Sequence, residues 1–186
     1  MALIDLFADI GDLGGSLFKI VVAFHIVVNV VLQYLMAPID ALGHGPIPDA
    51  RFGYSVDEFY NLMEAWGEEG RLQYQYVASA DLCLYIPSYV LLFGGLLWKA
   101  LDYNGYRQEH SVSYVMTLAM SDCLETGLQL YLSKSYPMKL QEIAMLAVIF
   151  NQVKWAMIAT LVIALLGFYV KGKLLPSNTG TKPKEE

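Results

Sequence analysis

Charge is scarce in this chain: only 16% of its 186 residues are Asp, Glu, Lys or Arg. Cysteine is scarcer still, at two. Cys83 and Cys123 both fall inside apolar segments, so a disulfide framework is excluded and both read as buried thiols. Nothing resembles a basic patch. The formal net charge of -6 accumulates near the N-terminus and in the stretch 37–76, which removes nucleic acid as a partner. CxxC, HExxH, GxGxxG and Walker-type loops are absent, leaving nucleotide chemistry and metal-dependent hydrolysis without a motif. No cofactor and no metal is therefore expected.

What is abundant is hydrophobic side chains, 56% of the chain, arranged in long blocks. This is the composition of an integral membrane protein with the lipid bilayer as its surroundings. The blocks predict an all-α fold: a four-helix transmembrane bundle spanning at about 17–36, 76–98, 112–133 and 143–170. A short amphipathic N-terminal helix precedes it, a helical extramembrane loop occupies 37–70, and a polar tail covers 171–186.

The third block, 112–133, organises the rest. It is long enough to cross a bilayer as a helix, yet carries Asp122 and Glu125 near its middle. Three residues apart on a helix they share a face, which Gln129 continues. Acids in hydrocarbon need neighbours that solvate, neutralise or use them. The fourth block supplies Lys154, three residues beyond Asn151 and next to Trp155, at a similar depth. An internal ion pair between Lys154 and one of the acids is the expectation, the other acid keeping its proton.

The other blocks carry polar stripes of their own. At the N-terminus, Leu3, Leu6 and Ile10 oppose Asp5, Asp9 and Asp12, the pattern of a short helix lying on a membrane surface or on the bundle. His25, Asn29 and Gln33 recur every four residues along the first span and suit hydrogen bonds to neighbouring helices. Ser55-x-x-Glu58 has capping-box spacing ahead of Phe59, Leu62, Met63 and Trp66, so a helix opens there inside a loop that makes a plausible lid. The second long helix is expected to begin at Arg71, with Pro87 kinking it. Along it Arg71, Tyr74, Ala78, Asp81, Tyr85 and Ser88 share one face. Arg71 and Asp81 stand about 15 Å apart and would bracket a cavity, with Tyr74, Tyr85 and Tyr89 at its mouth.

Four spans place both termini on one side. Lys99, Arg107, Lys171, Lys173, Lys182 and Lys184 fall on that side, against Arg51, Arg71, Lys134 and Lys139, so the positive-inside rule makes it the cytosol. The final Lys182-Pro183-Lys184-Glu185-Glu186 has the K-x-K-x-x form of a retrieval signal to the endoplasmic reticulum, read from the cytosol.

With these residues laid out, the chain resembles a loosely defined family of small four-span membrane proteins without an assigned activity. The resemblance rests on Tyr54-Ser55-x-x-Glu58, Trp66-Gly67-x-x-Gly70-Arg71-x-x-Tyr74, Asp81, Pro87-x-Tyr89, Asp122-x-x-Glu125 and Lys154-Trp155. Where that family has Asn after the Glu, this chain has Thr126. The resemblance implies a topology and no chemistry.

Two acids in one low-dielectric site beside a lysine form a matched acid and base without a cofactor. They suit isomerisation, epoxide opening or cyclisation of a hydrophobic isoprenoid, sterol or lipid-like small molecule. In this reading Asp122, Glu125 and Lys154 are catalytic. Arg71, Tyr74, Asp81, Tyr85, His25, Asn29, Asn151 and Trp155 bind the substrate, the aromatic faces steadying a developing cation. Analogy with small helical isomerases of the endoplasmic reticulum points the same way. The competing reading is a membrane scaffold or assembly factor whose charges fix helix register and whose Trp66-bearing loop docks a membrane-protein partner. A proton-coupled transporter ranks third, since the spans show no internal repeat.

Overall fold

The computed structural model describes residues 3–174, and the described chain is helical without a strand. Helix α1 (Leu3–Ile10) buries Phe7 and Ile10 completely. Its seat is Gly94-Gly95, where a Cβ on Gly94 would lie 2.2 Å from Phe7 Cζ and one on Gly95 2.3 Å from Ile10 Cγ2. The N-terminal helix thus lies against the bundle, and Phe7 takes the central place expected of Leu3 and Leu6, because the paired glycines leave room for a ring.

Helix α2 (Ser16–Asp40) runs on through Pro38, so the loop starts four residues later than the expected 37. Three glycines at positive φ, Gly43, Gly45 and Gly53, turn the loop around a single 3-10 turn at Pro48–Ala50. Arg51 folds back on it, donating to the Pro46 carbonyl at 2.8 Å. Ile47 and Pro48 are buried, so the loop dips into the bundle.

The capping box is present. Ser55 Oγ accepts from the Glu58 amide at 3.2 Å, and Glu58 accepts from the Ser55 amide at 2.6 Å. These bonds hold the Glu58 carboxyl below its usual range. Helix α3 (Val56–Ala65) buries Phe59, Tyr60, Leu62 and Met63. Gly67, at φ 63°, makes the reversal in one residue, so α4 (Gly67–Ala80) begins before Arg71.

A π turn at Asp81–Tyr85 joins α4 to α5 (Ile86–Tyr103). The amide of Ile86 reaches back five residues to the Asp81 carbonyl, and Pro87, which has no N–H to give, follows directly. The widened turn absorbs the proline expected to kink the helix. It also inserts a residue into the helical repeat, a shift that matters for the site. Helices α6 (Glu109–Ser135) and α7 (Gln141–Leu174) complete the described residues, α6 lying between α5 and α7.

Among the described residues three helical stretches are long and apolar enough to cross a membrane: Ser16–Asp40, Gly67–Tyr103 and Gln141–Lys171. The outer faces of α2 and α7 are exposed and apolar, with Ile20, Val27, Val30, Ile163 and Leu166 among them, as lipid contact requires. The chain therefore reads as a multi-pass membrane protein. Both cysteines are exposed, contrary to the expected burial. Cys123 follows inward-facing Asp122, and one helical step of about 100° turns it outward.

Two apolar clusters make the interior. One lies beneath the loop and includes Phe59, Met63, Trp66, Tyr74, Leu132 and Ala147. The other includes Ile86, Leu97, Val115, Leu118 and Leu161. Along α6 the clusters leave 121–126 between them, along α7 151–154, and on the α4–α5 rod Asp81. The polar residues form a layer at these positions. The terminal lysine pattern at 182 and 184 lies outside the described residues.

Candidate functional site

Lys154 is the centre of the layer, with a side chain 4% exposed. Its ammonium contacts Glu125 Oε2 at 2.8 Å and Asp122 Oδ1 at 3.2 Å, so the expected ion pair is formed and extends to both acids. Among the described residues no other donor reaches these two oxygens. A third carboxylate, Asp49 from the loop, pairs with the same ammonium, and the Asp49 carbonyl accepts from it at 3.1 Å. Three N–H protons are thus shared among four oxygens.

The three carboxylates stand close enough together to hold a cation, with one ligand atom from each within 4.8 Å of the others. Nζ of Lys154 fills that position. A metal would have to displace the lysine, and the donor set as it stands is an ammonium cage.

Behind the lysine the network is sealed. Glu125 is 0% exposed, and its Oε1 accepts from Gln129 at 2.7 Å and Asn151 at 2.8 Å. Gln129 also donates to the Tyr54 hydroxyl at 2.8 Å and accepts from the Tyr74 hydroxyl. Burial pushes the Tyr54 phenol upward, so it serves as a neutral partner. Asn151 ties the loop to α7, accepting from the Gly53 amide at 3.0 Å and donating to the Arg51 carbonyl at 3.3 Å.

In front of the lysine lies a cavity of about 340 Å³, within the range of small-molecule sites. Asp49, Asp81, Asp122 and Lys154 line it, with Tyr74, Tyr85, Tyr89, Phe93 and Trp155 as aromatic wall and Leu32, Met36, Val77, Leu118 and Ile158 as aliphatic wall. Asp122 accepts from the Tyr89 hydroxyl at 2.9 Å on the oxygen that does not meet Lys154. Asp81 is 7% exposed and accepts from the Thr126 hydroxyl at 3.1 Å. Trp155 Nε1 is buried without an acceptor among the described residues.

The expected site residues divide on this geometry. Tyr74, Asp81, Tyr85, Asn29, Asp122, Lys154 and Trp155 line the cavity. Glu125 and Asn151 stand behind the lysine and do not. His25 is outside too: Ser88 Oγ donates to the Tyr85 carbonyl and meets His25 Nδ1 at 2.8 Å, which makes the histidine a helix-to-helix link. Arg71 donates to the Met63 carbonyl at 2.7 Å and lies 4.2 Å above the Tyr136 ring. It ties α4 to α3 and does not bracket the cavity, because the tight turn at Gly67 places it beside the last turn of α3.

Asp49 and Thr126 belong to the arrangement beyond the expected set, whereas Tyr89, expected at the cavity mouth, lines the cavity and Gln129, expected on the face of the two acids, meets Glu125. Tyr89 replaces Ser88 on the cavity face because the π turn adds one residue to the repeat. Asp49 sits in a loop, where helical spacing carries no signal. The surplus of acids over Lys154 was the only hint of it.

The chain matches no family model, no curated protein and no solved structure. What the site does is read from its own geometry.

Proposed function

We propose that the protein is a four-span membrane enzyme that carries out cofactor-free acid/base chemistry on a hydrophobic isoprenoid, sterol or lipid-like molecule. The observation that carries this reading is the cavity, in which Asp49, Asp81 and Asp122 project beside Lys154 from a largely apolar and aromatic wall. Three carboxylates around one ammonium, with Asp81 as a further carboxyl in the cavity, hold more acid than base, so donor and acceptor come from one set of residues. One carboxyl delivers a proton to a double bond or epoxide oxygen, and a carboxylate withdraws another from a neighbouring carbon. The substrate is isomerised, opened or cyclised with no atom gained or lost. Asp122, facing the cavity and oriented by Tyr89 and Lys154, is the principal acid/base. Lys154 holds the charge balance, and Glu125 fixes Lys154.

In this reading α6 is also a span, the third in chain order. Its 27 residues measure about 40 Å, and its acids face Lys154, Gln129 and Tyr89 instead of lipid. The terminal Lys182 and Lys184 would address the protein to the endoplasmic reticulum with both termini cytosolic.

The sealed half of the network favours a second reading, in which the charges only fix helix register. A scaffold of that kind needs a docking surface, and Trp66, expected to provide it, is 4% exposed against Tyr74. Phe52, exposed on the loop, would have to take that role.

The test is a lipid and terpenoid profile of the native host carrying Asp122→Asn. An accumulated precursor at normal protein level supports the enzyme. An unchanged profile at normal protein level means the acid does no chemistry.

A further inference from the structure

The cavity's carboxyls are not equivalent. Asp122 and Asp49 are matched by Lys154. Asp81 is not: one of its oxygens takes the Thr126 hydroxyl, and no cation and no second donor reaches it among the described residues. It is nevertheless 93% enclosed, and it lines the cavity. An ionised carboxylate held this way without a counter-ion is costly, and a cation brought by a ligand would remove that cost. The π turn is what places it there. Tyr85 follows four residues later and Tyr89 beyond it, their rings 5.6 Å apart and both in the cavity wall.

We infer that Asp81 is the seat for a positively charged nitrogen in the ligand, a protonated amine on a hydrophobic body. The missing counter-charge and the neighbouring ring faces both recognise a cation. The rest of the cavity suits the hydrophobic body, and its route in is lateral. Helix α2 packs on α4 and α5, while α7 packs on α6 and α5, yet both α2 (Leu32, Met36) and α7 (Trp155, Ile158) line the cavity. No extensive contact joins α2 to α7 among the described residues. The gap between these two apolar, lipid-facing helices admits an amphiphile from the bilayer. This rests on the proposed site but not on its chemistry: an enzyme that stabilises a developing carbocation and a pure amine-binding protein would both have this seat.

The experiment uses the full chain in phosphatidylcholine nanodiscs. Binding of tritiated N,N-dimethyltetradecylamine is measured with empty discs subtracted, and is competed with unlabelled amine or with 2-methylhexadecane, its uncharged isostere. The expected result is saturable binding in which the isostere competes on the order of thirtyfold more weakly. Asp81→Asn, which keeps an acceptor for Thr126, should reduce the amine to the isostere's level. Non-saturable binding, equal competition by the isostere, or unchanged amine binding by Asp81→Asn overturns the inference. The wild-type competition decides alone if the variant fails to fold. These outcomes are independent of the metabolite test: saturable amine binding without an Asp122→Asn phenotype keeps the seat and retires the enzyme, and the converse keeps the enzyme and retires the seat.

Discussion

Asp122 and Glu125 come from one face of one helix, three residues apart, and meet the same ammonium, yet they inhabit different regions. The region around Glu125 is closed. Gln129 and Asn151 donate to the carboxylate there, Gln129 is held in turn by Tyr54 and Tyr74, and the carboxylate has no exposure at all. Around Asp122 the region is open to a cavity with aromatic walls and two further carboxyls. One turn of helix therefore separates a sealed charge from one that faces a cavity. A buried ion cluster can both brace a bundle and face a cavity when one side of it is sealed and the other is not.

The largest effect comes from removing what the two regions share. Lys154→Met leaves Asp49, Asp122 and Glu125 facing one another and should cost about 3–5 kcal/mol. Immunoblots of membranes should show the protein largely lost. Normal accumulation would mean the lysine does not hold the bundle.

Gln129→Leu attacks the sealed region alone, removing the donors to Glu125 and Tyr54. About 1–3 kcal/mol should be lost in detergent melting, with turnover kept in the folded fraction. Gly94→Ala, far from both regions, tests whether cavity and fold are separable elsewhere. It pushes a methyl into Phe7 and should cost about 1–3 kcal/mol. Phe7→Leu in the same chain should recover part of the loss, whereas equal melting of the single and double variants would place the strain elsewhere.

The smallest effect belongs to the loop that carries Asp49. Ser55→Ala removes one cap bond and should cost about 1 kcal/mol. The Glu58 carboxyl is depressed in the folded state, so its stabilisation is fully present above the unfolded value, about 4.3. It is lost as pH falls through the lower folded value. Melting of wild type and Glu58→Gln should differ near neutrality and converge in acid. A gap that widens in acid would reverse the sign.

Much of this was legible in the sequence for physical reasons. Apolar blocks mark helices because length and hydropathy are local properties, and Ser55-x-x-Glu58 marks a cap because both partners lie within one turn. The meeting of Asp122, Glu125 and Lys154 followed from helical spacing and a shared depth. What stayed hidden depends on contacts between elements. Phe7 is central only because Gly94 and Gly95 sit opposite it, and Arg71 leaves the cavity only because Gly67 reverses the chain in a single residue. Tyr89 lines the cavity, while Ser88 is buried against His25, because the π turn before Pro87 breaks the 3.6-residue repeat that the stripe assumed. The division between Asp122 and Glu125 was hidden most deeply. Spacing puts both on one face, and only the packing of Gln129 and Asn151 closes the space around one of them.

The most direct measurement pairs Asp122→Asn with Glu125→Gln in the native host, reading membrane-protein level, detergent melting and the extracted metabolites of each. Asp122→Asn should keep a folded protein and accumulate a precursor, with turnover reduced by about a hundredfold or more. Glu125→Gln should lower the melting point while the folded fraction still turns substrate over. The opposite pattern, with Asp122→Asn metabolically silent and Glu125→Gln stable but inactive, would contradict the assignment of chemistry to the open side of Lys154.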